Sequence, residues 1–315
     1  MASPCGWRFL RRFLKVEFLS KTRNLIGSEF IGKGGGGVTE RKSNLWALIL
    51  GASSGFGEAT AIELAVGGYN IFGVHLGRAS TMPNVDRIVA EIRSKEVEAV
   101  FYNVNAADPV KREDVLDEMA ERLAPDPDAM VKVLLHSLAF GTLKPLIAED
   151  PRDAITQAQM EMTLDVMANS LVYWVQGLVQ RKLMRRGGRI FAMTSSGGHT
   201  AMPSYGAVSA AKAALEAHIR QLTMELGSKG ITANAIMAGV TDTPALRKIP
   251  GGLRLLKAAQ YKNPSGRNTT PTDVAKAIAL LSDDRSYWIN GSVLRVDGGE
   301  DVIGFVAQEG PVTIE

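Results

Sequence analysis

Short apolar stretches alternate with helical patterns over most of this chain, and this alternation limits the folds that it can adopt. Seven stretches have the length and composition of strands: residues 46–50, 71–76, 99–104, 131–138, 189–194, 231–236 and 292–296. Helical patterns lie between them: residues 58–65, 85–93, 110–123, 159–184, 209–226 and 272–281. Strands separated by helices pair in parallel, with helices on both faces of the sheet. The sequence therefore predicts an α/β fold: a single doubly wound Rossmann domain with a seven-stranded parallel sheet.

A segment of different composition precedes this pattern. Residues 1–43 carry nine Lys and Arg against three Glu. Apolar residues at helical spacing over 7–19 predict a basic amphipathic helix, and the glycine run at 34–37 is typical of a flexible linker. We therefore predict an N-terminal extension over 1–43 and a catalytic domain over 44–315. The extension could bind a membrane surface or an acyl carrier, act as an organellar transit peptide, or have no fold of its own, and we favour the last.

The composition argues against several classes of protein. Cys5 is the only cysteine, so disulfides within the chain and thiolate metal clusters are excluded, and no His, Asp and Glu spacing is typical of a metal site. Beyond residue 43 the chain has 27 basic against 30 acidic residues, which disfavours a nucleic-acid surface. No apolar run reaches the roughly 18 residues of a membrane span. We expect a cytoplasmic protein, and the extension leaves organellar targeting or membrane-surface association open.

A glycine-rich turn follows the first predicted strand and opens the first helix. Gly51, Gly55 and Gly57 have the spacing G-x-x-x-G-x-G. Glycines at such a turn let the backbone bend sharply, approach a pyrophosphate closely and direct helix N–H groups at it. The sequence therefore predicts a dinucleotide site here. The other residues assigned to this turn are Ser53, Ser54 and Phe56.

The residues after the second and third strands bear on which dinucleotide binds. Arg78 follows the second strand, and no acidic residue stands between Tyr69 and Val85. A carboxylate at this place would bind a ribose 2′-hydroxyl, whereas an Arg accommodates a 2′-phosphate. NADP(H) is therefore favoured, and NAD(H) remains open. We expect Asn103 and Val104, after the third strand, to flank the adenine.

A Ser, a Tyr and a Lys stand close together between Ser195 and Lys212. Tyr205 and Lys212 are seven residues apart, which is nearly two turns of a helix, so both side chains would project from one face. These three residues are candidates for a catalytic group. Taken alone, the stretch is equally compatible with an Ala-rich core helix that happens to carry a Tyr and a Lys.

With these motifs, residues 45–300 resemble the short-chain dehydrogenase/reductase family, and within it the enoyl-acyl-carrier-protein reductases. Three stretches carry the closer likeness: H-S-L-A-F-G at 136–141, A-M-P-S-Y with its Tyr-x6-Lys spacing from Tyr205 to Lys212, and N-A-I-M-A-G-V-T-D-T at 234–243. The resemblance implies that Lys212 binds the nicotinamide ribose. The further residues that it implies for the cofactor site are Ser137, Leu138, Ala139, Gly239, Val240 and Thr243.

The sequence also departs from the enoyl reductases. Val208 stands four residues before Lys212, where most of the superfamily has its catalytic Tyr. Ser195 stands where enoyl reductases have a second Tyr and where carbonyl reductases have a catalytic Ser. The glycine turn follows the carbonyl reductases, and Asn169 falls where that branch keeps an Asn that holds a proton-relay water.

The resemblance implies reduction of α,β-unsaturated acyl thioesters in fatty acid synthesis, on acyl carrier protein or CoA, with Tyr205 stabilising the enolate. The alternative is a carbonyl or alcohol oxidoreductase of the 3-oxoacyl or hydroxysteroid type that uses Ser195 and Tyr205. A third interpretation is a non-catalytic NADP(H)-binding sensor. Residues 244–265 have the pattern of a substrate lid. The apolar helices at 159–184 and 209–226 would, by resemblance, form a four-helix interface in a homotetramer.

Overall fold

The computed structural model describes residues 44–304, and in this part of the chain seven strands form one parallel sheet in the order β3-β2-β1-β4-β5-β6-β7. The strands are β1 (Leu45–Leu50), β2 (Asn70–His75), β3 (Ala99–Asn103), β4 (Met130–His136), β5 (Arg189–Thr194), β6 (Thr232–Ala238) and β7 (Val293–Val296). The predicted fold class is thus confirmed. The N-terminal extension predicted over 1–43 lies outside the described residues.

The helices follow the strands in alternation, as the periodicity predicts. They are α1 (Gly55–Val66), α2 (Met82–Arg93), α3 (Pro109–Leu123), α4 (Gln157–Leu164), α5 (Ser170–Gln180), α6 (Gly206–Leu226), α7 (Gly252–Lys262) and α8 (Pro271–Leu281). None of the helices within residues 44–304 is long and apolar enough to cross a membrane.

Successive strand residues point to opposite faces of the sheet, and both faces are covered. Leu48 of β1 packs in a cluster with residues of α3, α5 and α6, including Trp174. Its neighbour Ile49 packs in a second cluster with residues of α1, α2 and α8, including Leu64. Because β1 is buried on both sides, it reads as a continuous apolar run instead of an alternating one.

The long helix predicted over 159–184 is shorter and irregular. A π-helical turn, Asp165–Asn169, joins α4 to α5, and the helix ends at Gln180. Lys182 has a φ of 59°, in the left-handed region that an α-helix cannot continue through. The chain therefore turns here toward β5, four residues before the predicted end.

Strand β4 also ends earlier than predicted, at His136 instead of residue 138. The N–H of Ser137 still donates to the carbonyl oxygen of Leu50, at 2.9 Å, after which the chain leaves the sheet. Ser137, Leu138 and Ala139 therefore lie in the loop at the carboxyl edge of the sheet, beside the end of β1.

The segment predicted as a lid is only partly covered by the rest of the domain. It contains a short 3-10 turn at Leu246–Lys248 and the helix α7. Leu246 and Ala259 are buried, whereas Leu253 is 70% exposed. The segment thus has one packed side and one open side, and whether it moves over a substrate stays a prediction.

The packing of α1 on β1 predicts an unusual response to a Gly→Ala change. A Cβ built on Gly57 would lie 2.1 Å from the carbonyl oxygen of Gly51, so backbone must shift to admit it. We expect Gly57→Ala to lower the free energy of unfolding by about 1–3 kcal/mol, measured by urea denaturation.

Gly227→Ala is the matched control. Gly227 has helical backbone angles, with φ −57° and ψ −44°, and a Cβ built on it meets only the Nδ2 of Asn290, at an ordinary contact distance of 3.9 Å. The same change there should be neutral or stabilise by about 0.4–1 kcal/mol. Equal effects at the two positions would contradict this account of the packing.

Candidate active site

The strand order reverses between β1 and β4, and the two loops that follow these strands approach closely. Gly51 and Gly55 have φ values of 93° and 58°. A Cβ built on Gly51 would lie 2.4 Å from the carbonyl oxygen of Ser137, so only glycine fits between the two loops. A crevice at such a reversal is where nucleotides bind in open α/β sheets.

Other predicted cofactor residues meet at the same turn. The Cγ2 of Thr243, after β6, is 3.4 Å from a Cβ built on Gly55. The carbonyl oxygen of Ser53 accepts a hydrogen bond of 2.9 Å from the Nδ2 of Asn84, on α2. Ser54 precedes α1 in extended backbone and makes no side-chain cap, while Phe56 packs on the core. The fold thus brings the glycine turn and Thr243 together, and close backbone approach suits a pyrophosphate.

Arg78 lies in the loop after β2, six residues before Asn84. Arg78 is exposed, and within residues 44–304 its guanidinium makes no ion pair. The side chain of Asn103 is hydrogen-bonded to Gly77, and Val104 packs on the core while its N–H donates to the carbonyl oxygen of His75. The expected contacts of Asn103 and Val104 with an adenine stay a prediction.

A buried carboxylate that the sequence did not indicate lies behind the loop after β6. The N–H of Val240 donates to both carboxylate oxygens of Glu300, at 3.1 and 3.3 Å. Burial raises the pKa of Glu300, and this hydrogen bond opposes the rise. A Cβ built on the buried Gly239 would lie 2.4 Å from the Oγ1 of Thr269. Glu300 follows the last strand with no motif spacing that would mark it.

Tyr205 and Ser195 form a hydroxyl pair at the start of α6. Tyr205 is 7% exposed, and burial raises its pKa above the usual value, while the neighbouring hydroxyl of Ser195 opposes the rise. The Oγ of Ser195 also accepts from the N–H of Gly197, at 2.9 Å. With its pKa raised, the phenol keeps its proton at neutral pH and can donate a hydrogen bond.

Lys212 lies two turns further along α6 and is buried. Its Nζ donates to the carbonyl oxygen of Met193 at 2.6 Å, which leaves two of its three donors for other partners. Burial lowers the pKa of Lys212 to about 8, against the opposing effect of Glu216. Val208, between Tyr205 and Lys212, is also buried and offers no proton donor.

The side chain of Asn169 is hydrogen-bonded to His218 and not to Tyr205, Ser195 or Lys212. Its Oδ1 is 3.1 Å from the Nε2 of His218, which lies six residues beyond Lys212 and so on a different face of α6. The hydrogen bonding of Asn169 therefore gives no support to a relay water at Lys212, and that role stays a prediction.

His136 lies at the carboxyl end of β4 and is fully buried. Its Nε2 is 2.9 Å from the Oγ of Ser170, which donates to the carbonyl oxygen of Val166. The hydroxyl therefore accepts from the Nε2–H of the imidazole. Burial, and next the charge of Lys212, lower the pKa of His136 to about 3, so the ring is neutral.

A cavity of about 560 Å³ opens beside Tyr205. Leu146, Pro145 and Met202 give it apolar walls, and Ser204 and Ser209 add hydroxyl groups. Such a lining suits an acyl group with a polar head. Within residues 44–304, no group of three or more His, Cys, Asp or Glu side chains could hold a metal ion.

Comparison with known proteins places this site in a family. The model of the family described as "Enoyl-(Acyl carrier protein) reductase" matches residues 51–300. The enoyl-[acyl-carrier-protein] reductase [NADH] of Nostoc sp. is 35% identical over 172 residues, 55% of this chain and 65% of that protein. The match thus spans somewhat less than two thirds of that relative.

Two further comparisons cover more of the chain. The chloroplastic NADPH-dependent aldehyde reductase-like protein of Arabidopsis thaliana is 29% identical over 80% of this chain and 93% of its own. The crystal structure of an enoyl-acyl-carrier-protein reductase from Anaplasma phagocytophilum in complex with NAD superposes with a TM-score of 0.72 at 22% identity, over 86% of this chain and 97% of that one. This chain therefore belongs to the enoyl-(acyl carrier protein) reductase family of the short-chain dehydrogenase/reductases.

Proposed function

We propose that the protein is an NAD(P)H-dependent oxidoreductase that reduces α,β-unsaturated acyl thioesters. The observation that carries the proposal is the buried pair of Tyr205 and Lys212 on one face of α6, with Val208 at the position between them where a carbonyl reductase has its acid. Membership of the family supports it, as does the name of the Nostoc relative.

The glycine turn would hold the cofactor pyrophosphate, and Lys212 would hold the nicotinamide ribose. When bound, the cofactor supplies the hydride that reaches the β-carbon of the thioester. Negative charge then develops on the thioester oxygen, and the phenol of Tyr205 stabilises it by donating a hydrogen bond at about 2.7 Å. The cation of Lys212 favours that charge further, because both groups lie in a largely dehydrated site.

The acyl group would occupy the cavity beside Tyr205. Leu146 and Met202 would contact its chain, and the hydroxyls of Ser204 and Ser209 lie where a polar thioester arm could bind. We propose acyl carrier protein or CoA as the carrier, and fatty acid synthesis as the setting, in keeping with the family description.

The second candidate is a carbonyl or alcohol oxidoreductase of the 3-oxoacyl or hydroxysteroid type. The closeness of the Ser195 hydroxyl and Tyr205, which both lie against Gly197, favours it, since two donors could bind one carbonyl oxygen. The name of the Arabidopsis relative, an NADPH-dependent aldehyde reductase-like protein, points the same way. The position of Val208 and the engagement of Asn169 by His218 disfavour it. The third interpretation, a non-catalytic sensor, would need the dinucleotide site alone.

We propose NADP(H) as the preferred cofactor. Arg78 is a cation at the carboxyl end of β2, and no described residue neutralises it in an ion pair. An Arg at this place suits a 2′-phosphate. The relatives' names include both NADH and NADPH, so NAD(H) remains the alternative.

Substrate choice tests the proposal directly. With crotonyl and acetoacetyl thioesters in parallel, each with NADPH and NADH, we expect turnover of the crotonyl thioester. Tyr205→Phe should lower kcat by at least about 100-fold, because it removes the donor to the enolate oxygen. Ser195→Ala should retain turnover within about tenfold, because Tyr205 still donates.

Other outcomes select the alternatives. Acetoacetyl turnover without crotonyl turnover would establish the carbonyl reductase, and Ser195→Ala should then be as damaging as Tyr205→Phe. Cofactor binding without turnover of either thioester would leave only the sensor.

The pH dependence tests the role of Lys212. Its pKa is lowered to about 8, so the cation is present below that pH and is lost as the pH rises through it. We expect kcat/KM to fall about tenfold per pH unit above about pH 8, because this parameter follows ionisation of the free enzyme. Lys212→Met should be slow and lack this limb. Lys229→Met, at an exposed lysine, should keep the limb, and an unchanged limb in Lys212→Met would contradict the assignment.

We further propose a cytoplasmic homotetramer in which two helical segments of each protomer, α4 continued by α5 and α6, form a four-helix interface with those of a neighbour. Tyr173 on α5 and Met224 on α6 are large apolar side chains that are exposed, at 37% and 71%. Sedimentation velocity at micromolar concentration should give the mass of a tetramer. A monomer would contradict the interface, and Met224→Glu should weaken assembly by placing charge in it.

A further inference from the structure

The side-chain amide of Asn103 holds the main chain beside Arg78 through both its oxygen and its nitrogen. Its Oδ1 accepts a hydrogen bond of 2.9 Å from the N–H of Gly77, and its Nδ2 donates one of 3.1 Å to the carbonyl oxygen of the same residue. Asn103 ends β3 and pairs with His75 at the end of β2. One side chain thus fixes both polar groups of the residue that precedes Arg78.

The rest of this loop is also fixed. The N–H and the Oγ1 of Thr81 each donate to the carbonyl oxygen of Arg78, both at 2.9 Å. Just beyond the loop, the Nδ2 of Asn84 donates to the carbonyl oxygen of Ser53 in the glycine turn, at 2.9 Å. The backbone that carries Arg78 is therefore tied to β3 on one side and to the glycine turn on the other.

The cations near this loop differ in their partners. Arg87, on α2, is engaged by Glu58 and by Glu91. Arg78, in the part of the chain from 44 to 304, makes no such pair and is exposed. The main chain on both sides of Arg78 is therefore held by hydrogen bonds, while its guanidinium is exposed and can bind an anionic ligand.

We propose that Asn103 is a positioning residue that determines the preference for NADPH over NADH. By holding Gly77 it keeps Arg78 at the place of the 2′-phosphate, so its loss weakens binding of the phosphorylated cofactor selectively. The proposal rests on the proposed function, which assigns a dinucleotide to this crevice and the 2′-phosphate to Arg78. This role differs from the expected contact with adenine, because the Oδ1 and Nδ2 of Asn103 are engaged by the main chain of Gly77.

The physical reason is preorganisation. A loop that is free before binding must be ordered when Arg78 meets a phosphate, and that entropy is lost from the binding free energy. The amide of Asn103 has separate acceptor and donor atoms, so one side chain can accept from the N–H of Gly77 and donate to its carbonyl oxygen at the same time. NADH lacks the 2′-phosphate, so ordering of this loop contributes little to its binding.

The experiment measures binding by the protein of residues 1–315, without turnover. The dissociation constants of NADPH and NADH, and of 2′,5′-ADP and 5′-AMP, are compared for the wild type, Asn103→Ala, Arg78→Ala and the double variant. We expect Asn103→Ala to weaken NADPH and 2′,5′-ADP at least about tenfold, and NADH and 5′-AMP less than about twofold. In the Arg78→Ala background, Asn103→Ala should have no further effect, because the two residues act on one contact.

Asn105→Ala is the matched control. Asn105 is exposed, two residues from Asn103, and its Oδ1 accepts from the N–H of Ala107 in its own turn. It should leave the NADPH to NADH ratio unchanged. Thermal unfolding confirms that each variant folds. If Asn103→Ala does not, Asn103→Ser replaces it, with the same selective loss expected.

Three results would overturn the proposal. Equal weakening of NADPH and NADH would make Asn103 an adenine contact or a support of the fold. Unchanged binding of both cofactors would show that the hydrogen bonds of Asn103 with Gly77 are not needed to position Arg78. A wild type that binds both cofactors equally would remove the role of Arg78. Because binding is measured apart from turnover, failure of the enoyl reductase assay leaves this result readable.

Discussion

The close approach of the loops after β1 and β4 is the constraint on which the site depends. With the carbonyl oxygen of Ser137 at 2.4 Å from a Cβ built on Gly51, no side chain fits between them. A Cβ built on Gly57 would lie 2.1 Å from the carbonyl oxygen of Gly51, so the start of α1 packs just as closely against the loop after β1. These contacts lie at the reversal of the sheet, where Thr243, in the loop after β6, also approaches Gly55. Without the glycines the cofactor would meet side chains in place of backbone N–H groups.

The chemistry also depends on how burial affects the protonation states of Lys212 and Tyr205. Lys212 keeps its cation in the core through the carbonyl oxygen of Met193, and Tyr205 keeps its proton because burial disfavours the phenolate. The neutral His136 nearby adds no charge. The result is one cation and one neutral donor beside an apolar cavity. That combination suits a substrate whose oxygen becomes negative only during the reaction.

The fold could be predicted from the sequence because strand and helix periodicities are local signals. The strands and the glycine turn lie where the apolar runs and the G-x-x-x-G-x-G spacing place them. Within the candidate site, the sequence could predict the relative placement of residues that share one element, as for Tyr205 and Lys212 on α6, while their roles stay predictions. Asn169 ends a π-helical turn, which alters the face that regular helical spacing predicts, and its partner His218 is 49 residues away. The bonds of Asn103 with Gly77 and of Glu300 with Val240 likewise join distant segments, and no pattern within one segment reveals them.

Glu300 makes the end of the sheet part of the site. Its carboxylate, after β7, holds the N–H of Val240 in the loop that follows β6, next to the buried Gly239. The loop that follows β6 is therefore held in place by a residue 60 positions further along the chain. A substitution of Glu300 would therefore leave the N–H of Val240 without its carboxylate partner and loosen the loop after β6, while every side chain beside Tyr205 and Lys212 stays the same.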